Sequence, residues 1–128
     1  MIVLLAASVL KMYNQSVDEF FSQQQGNVVD AANLYVQDYC KYKISTSYTC
    51  PASYAVASGS EKYLCLKDIQ ATDYLDEVSY KGNVCEGMVI YDSNGKNPTA
   101  YLYCGRQANG TYTYKTSDTV SIKSNCKN

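Results

Sequence analysis

Two patterns of apolar and polar positions divide the chain. From Val17 onward, Val17, Phe20, Phe21, Val28, Ala31, Ala32, Tyr35 and Tyr39 recur at spacings that keep them on one side of a 3.6-residue helix. No proline interrupts the stretch from Tyr13 to Tyr39. The pattern predicts one long amphipathic helix whose apolar face, centred on Val17, Phe20, Phe21, Val28, Ala32 and Tyr35, needs a sheet to cover it. Ahead of that stretch, Met1 to Leu10 carries no charge and is apolar all round apart from Ser8. Its large side chains are Met1, Ile2, Val3, Leu4, Leu5, Val9 and Leu10. One small domain cannot cover them, so this tip is expected to bury in something else. Ten residues rise only about 15 Å as a helix, whereas a membrane span needs about twenty apolar residues. Gly26, between Gln25 and Asn27, is the expected place for a bend or local loosening. The helix is expected to fail between Asp38 and Lys43, and Pro51 excludes further helix.

Beyond Pro51 the period changes towards two. Glu61 to Leu66 reads as a first strand, and Lys67 to Thr72 as a single helical turn at most. The clearest local signal is a pair of apolar runs, Gly87 to Tyr91 and Thr99 to Tyr103, separated by a turn that contains Asn94-Gly95. A hairpin folded symmetrically about those two residues pairs positions whose numbers add to 189, which sets Cys85 opposite Cys104. Facing residues in an antiparallel pair lie about 4.5 to 5.5 Å apart at Cα, within disulfide range. Pro98 lacks an N–H, so pairing is expected to start with Ile90 opposite Thr99. A second turn at Ala108-Asn109-Gly110 leads into Thr111 to Lys115, a further antiparallel strand. The predicted organisation is a helical part, 1–40, with an assembly tip over 1–12, followed by a disulfide-bonded sheet domain, 41–128. The predicted class is α+β: a long N-terminal helix packed on three or four antiparallel strands.

The six cysteines strengthen the sheet reading and set the compartment. Cys40, Cys50, Cys65, Cys85, Cys104 and Cys126 are widely spaced, even in number and without a C-x-x-C pair or any histidine nearby. This argues for three disulfides formed in an oxidising compartment and against a zinc site. Cys40 and Cys50 bracket the loop that follows the helix. With Cys85 set against Cys104 and Cys40 paired with Cys50, Cys65 and Cys126 are left to each other by elimination among 15 connectivities.

Charge and composition chiefly exclude. The 11 basic residues are balanced by 12 acidic ones, so the chain has no basic field with which to hold nucleic acid. There is no histidine, which removes Ser-His-Asp and Cys-His catalysis and histidine metal sites. Asp18-Glu19 and Asp76-Glu77 are adjacent carboxylates that diverge on a helix or strand, and they read as solvated surface. The run Asp92 to Asn97 faintly resembles a calcium loop but lacks the closing Glu and contains Lys96, so it reads as a hairpin turn. The sequons at Asn14 and Asn109 read as chance matches. The 14 tyrosines suit a half-buried sheet and its surface. No cofactor and no enzymatic activity are expected.

A helix apolar at its tip and amphipathic below, followed by a loop, an antiparallel sheet and a disulfide-tied end, resembles a type IV pilin or pseudopilin. The segments Lys67 to Val78, Cys85 to Ile90 and Ala100 to Cys104 are similar to globular parts of pilin-like proteins from Gram-positive bacteria. The family's first-residue Phe and fifth-position Glu have no counterpart here, where the chain opens with Met1 and has Leu5. Prepilin-peptidase processing and N-methylation are therefore assigned to no residue. The resemblance implies a cell-surface filament, membrane-inserted before assembly, in which copies of the chain pack Met1 to Leu10 in the core. It also implies a pilus assembly machinery as partner. The alternative is a secreted, disulfide-rich binding module or inhibitor whose tip is a residual signal segment. Continuity separates the two, because a filament helix should run from Met1 through Tyr39 without a break.

Overall fold

The computed structural model describes residues 16–56 and 59–128. The assembly-tip residues Met1, Ile2, Val3, Leu4, Leu5, Val9 and Leu10 lie outside them. The first element is α1 (Val17–Tyr35). Ser16 is extended, with φ −66° and ψ 158°, and its hydroxyl accepts the Glu19 N–H at 3.2 Å. A side chain that satisfies a first-turn N–H does what a preceding helical turn would otherwise do, so the helix begins here. The expectation of helix through Ser16 is thus corrected, while its part over residues 1–15 lies outside the described residues: the apolar spacing marks which face is buried but not where the helix starts.

Gly26 lies within regular helix. The loosening comes ten residues later, where α1 widens into a π-helical turn over Val36–Lys41. The Tyr42 N–H reaches back five residues to the Gln37 carbonyl at 3.0 Å. The turn ends at Lys43, whose left-handed φ of 51° is unusual for a residue with a side chain, and Ile44 N–H closes onto the Asp38 carbonyl at 2.9 Å.

The sheet consists of β1 (Lys62–Cys65), β2 (Ser79–Tyr80), β3 (Asn83–Tyr91), β4 (Thr99–Arg106) and β5 (Tyr112–Lys115). A short helix α2 (Leu66–Gln70) follows β1 directly. All pairings are antiparallel, in the order β1-β3-β4-β5, with β2 on the Asn83 end of β3. The β3–β4 register sets Cys85 against Cys104 and opens at Ile90 with Thr99. Five strands rather than three or four arise because Lys81-Gly82 folds the two-residue β2 back onto β3, with positive φ at both turn positions.

Alternation sorts the strands onto two cores. The inner face, with Leu64, Val89, Ala100 and Leu102, packs under α1 through Phe20, Phe21, Val28, Ala31, Ala32 and Tyr35, all buried. Val17 is partly buried at the edge of this cluster. The outer face carries Cys65, Met88 and Tyr103, covered by Cys126 and flanked by Val120 and Ile122 of the C-terminal segment. Three disulfides tie the layers: Cys40–Cys50, Cys65–Cys126 and Cys85–Cys104. A sheet with apolar residues on both faces must be covered on both, and this chain uses a helix on one side and its own end on the other. Among the described residues, no helix is long and apolar enough to cross a membrane.

Candidate interaction surface

Four places gather polar or exposed side chains that the core does not absorb. The first is a polar staple on the outer face. Glu86 points away from α1 and is only 4% exposed. Its carboxylate meets the Arg106 guanidinium at 3.3 Å, accepts the Asn128 N–H at 3.0 Å and accepts the Tyr112 hydroxyl in a very short hydrogen bond. Burial, followed by the hydrogen bond to Glu86, pushes the Tyr112 hydroxyl up to about 12. Burial likewise raises Tyr103 to about 12, and its hydroxyl donates to the Val120 carbonyl. Lys67 donates to the Lys127 carbonyl at 3.0 Å, and Tyr63 to Asn125 at 3.0 Å. Every partner of Glu86 is supplied from within the chain, so this cluster anchors the C-terminus and leaves no carboxylate free for chemistry.

The second place is the β3–β4 turn. One Asp92 oxygen accepts the N–H groups of Asn94 and Lys96, both at 2.9 Å, and the other accepts the Asn97 amide at 2.8 Å. The Lys96 N–H and then the Asn97 amide hold this carboxyl below its ordinary value. Asp92 is thereby spent on the turn, in line with the reading of a hairpin over a calcium loop. Among the described residues, no three Cys, Asp or Glu side chains are grouped as metal ligands.

The third place runs along α1. The Tyr74 hydroxyl donates to Asp38 in a very short bond, which raises its ionisation range, and its ring stacks on Tyr39 at 5.7 Å. Tyr80 packs against Phe20 at 4.8 Å. With one end at Asp38 and the other at Phe20, residues 74–80 run antiparallel to the helix. Between the two lies a groove of about 460 Å³, lined by Gln24 and Asn27 of α1 and by Leu75, Asp76, Glu77 and Val78 opposite. Asp73, Asp76 and Glu77 are exposed along this segment, and none belongs to an ion pair among the described residues.

Past the end of α1, the corner Lys41-Tyr42-Lys43-Ile44 stands out from the surface. Tyr42 is 60% and Ile44 66% exposed, the highest values among the exposed large apolar side chains; Leu34 and Val84 follow at 46%. The Lys41 ammonium lies 5.5 Å from the Tyr42 ring, and neither Lys41 nor Lys43 has an acidic partner among the described residues.

Asp76-Glu77, read from the sequence as solvated carboxylates, are on the groove's rim. Asp18-Glu19 are exposed in the first turn of α1. Asn14 falls outside the described residues. Asn109 lies in the β4–β5 turn, where its side-chain oxygen accepts from Thr111. Sequence reasoning missed the projecting corner and the buried Glu86. The corner carried a signal in the alternation of lysine with Tyr42 and Ile44, whereas Glu86 carried none, because its burial depends on a segment forty residues away. Compared with protein families, with curated proteins and with solved structures, the chain matches none.

Proposed function

We propose that the chain is a structural subunit of an extracellular, type IV pilus-like filament, in which its apolar N-terminal segment packs against copies of itself. The observation that carries this reading is the placement of α1. Its buried side, Phe20, Phe21, Val28, Ala31, Ala32 and Tyr35, already packs on the sheet, so the described residues close a core of their own without Met1 to Leu10. The two-sided coverage of the sheet and the three disulfides suit a module that must endure outside the cell. Burying about five large aliphatic side chains per tip, at roughly 1.5 to 3 kcal/mol each, contributes on the order of 10 kcal/mol before ordering costs. Repeated along an open helical array, that is ample for a filament.

The Ser16 cap favours a second reading. Ser16 is extended and caps a helix that begins at Val17, whereas an unbroken run through this position is the feature expected of a filament helix. A secreted disulfide-stapled binding module with a separable leading segment accommodates that break. Negative-stain electron microscopy of the protein from its source, beside a preparation starting near Tyr13, distinguishes the two. Thin regular filaments that vanish on removal of residues 1–12 support the subunit. Monomers in both preparations, with Met1 to Leu10 sensitive to protease, support the secreted module instead.

A further inference from the structure

The groove beside α1 and the corner beyond it are complementary surfaces on one molecule. Resting on the filament reading above, we infer that the Lys41–Ile44 corner of one copy docks into the groove between α1 and residues 74–79 of the next. The corner offers two apolar side chains, Tyr42 and Ile44, each more than half exposed and alternating with Lys41 and Lys43, which have no acidic partner among the described residues. The groove offers partly buried Leu75 and Tyr74 for apolar contact and a rim of Asp76 and Glu77, with Asp73 at its head, for the lysines. Both surfaces combine apolar area with unneutralised charge, and the charges are of opposite sign. That combination favours the pairing of unlike surfaces over like ones.

Placement makes the contact intermolecular and directional. The corner follows the end of α1, whereas the groove's α1 wall is Gln24 and Asn27, at least 14 residues before Lys41 or about 21 Å along a helix, with only the Tyr74 end of the facing segment near Asp38. Seating the corner of one copy in the groove of another therefore displaces the two along the helix axis. Because the two surfaces differ, the contact is heterologous, and each copy keeps one corner and one groove for further neighbours. Such contacts propagate unless the rotation closes a ring. The corner would thus add a contact between globular domains to whatever the tip supplies.

The test is self-association of the full-length protein, followed by analytical ultracentrifugation and electron microscopy, with circular dichroism to verify folding. Reversing the corner (Lys41→Glu with Lys43→Glu) or the rim (Asp76→Lys with Glu77→Lys) should each weaken association at least tenfold. Combining all four substitutions in one chain should restore most of it. Tyr42→Ser with Ile44→Ser should weaken it comparably, while Val84→Ser, an exposed apolar residue elsewhere, should leave it unchanged. Filaments indifferent to either reversal overturn the docking contact and leave the filament subunit standing. Reversals that weaken association without rescue in the combined variant also overturn it, because complementarity is then absent. Full-length protein that never self-associates overturns both.

Discussion

A single carboxylate shows how the outer face is held. Glu86 sits where strand alternation predicts a solvent-facing side chain, yet the Asn128 N–H at the chain's end, the Tyr112 hydroxyl of β5 and the Arg106 guanidinium of β4 all converge on it. Truncation by Glu86→Ala leaves the Tyr112 hydroxyl and the Asn128 N–H without their acceptor. The expected loss is about 2 kcal/mol, since Arg106 is half exposed and regains water, measured as a lower urea midpoint at unchanged slope. Tyr112 makes a pH prediction of definite sign. Its hydroxyl ionises near 10 in the unfolded chain and at about 12 in the fold, so between those values the folded state holds the extra proton. Its contribution is complete below pH 10 and is lost as pH rises through 12. Tyr112→Phe should therefore flatten the decline of stability across pH 10 to 12, as read by denaturant melts at stepped pH. None of this is legible in the sequence, where Glu86 is one acidic residue in an alternating strand.

Elements were legible to the extent that their signals are local. Asn94-Gly95 between apolar runs fixed the hairpin register down to the Ile90–Thr99 pair, because a tight turn leaves the strands little freedom to slide. The buried face of α1 followed from its period. Its ends did not. The start depends on one serine hydroxyl at Ser16, and the π-helical end depends on Tyr39 packing with Tyr35, Tyr48 and Tyr74, a cluster drawn from three parts of the chain. Gly26 offers a test at this scale. A Cβ placed there meets nothing within 4 Å, so nothing within the domain requires glycine. Gly26→Ala should stabilise the monomer by about 0.5 to 1 kcal/mol, through helix propensity and a less disordered unfolded chain, with thermal unfolding as the readout. An unchanged or lowered melting temperature would mean that α1 needs its flexibility at this point.

For the whole molecule, the question is what keeps three layers together when the inner core alone belongs to a small domain. The disulfides answer unequally. Cys40–Cys50 closes a loop of sequence separation 10 at the end of α1, and Cys85–Cys104 joins strands that already pair. Cys65–Cys126 spans a separation of 61 and is the one disulfide that fastens the C-terminal segment across the outer face, with its sulfurs among the buried side chains there. The sequence pairs Cys65 with Cys126 only by elimination, for the same reason that Glu86 is unreadable: nothing local foretells that the end of the chain returns over the sheet. Chain entropy makes the long bridge worth roughly 4 kcal/mol and the ten-residue one nearer 3. Cys65→Ala with Cys126→Ala should accordingly cost more than Cys40→Ala with Cys50→Ala. It should also free the strap, so that amides of residues 120–128 and of the outer sheet face exchange with deuterium well before those facing α1. The Cys40/Cys50 variant should instead loosen the π-helical turn and the corner beyond it, leaving the outer face protected. Uniform loss of protection in both variants would mean that the two cores unfold as one unit and that the strap is not a separate layer.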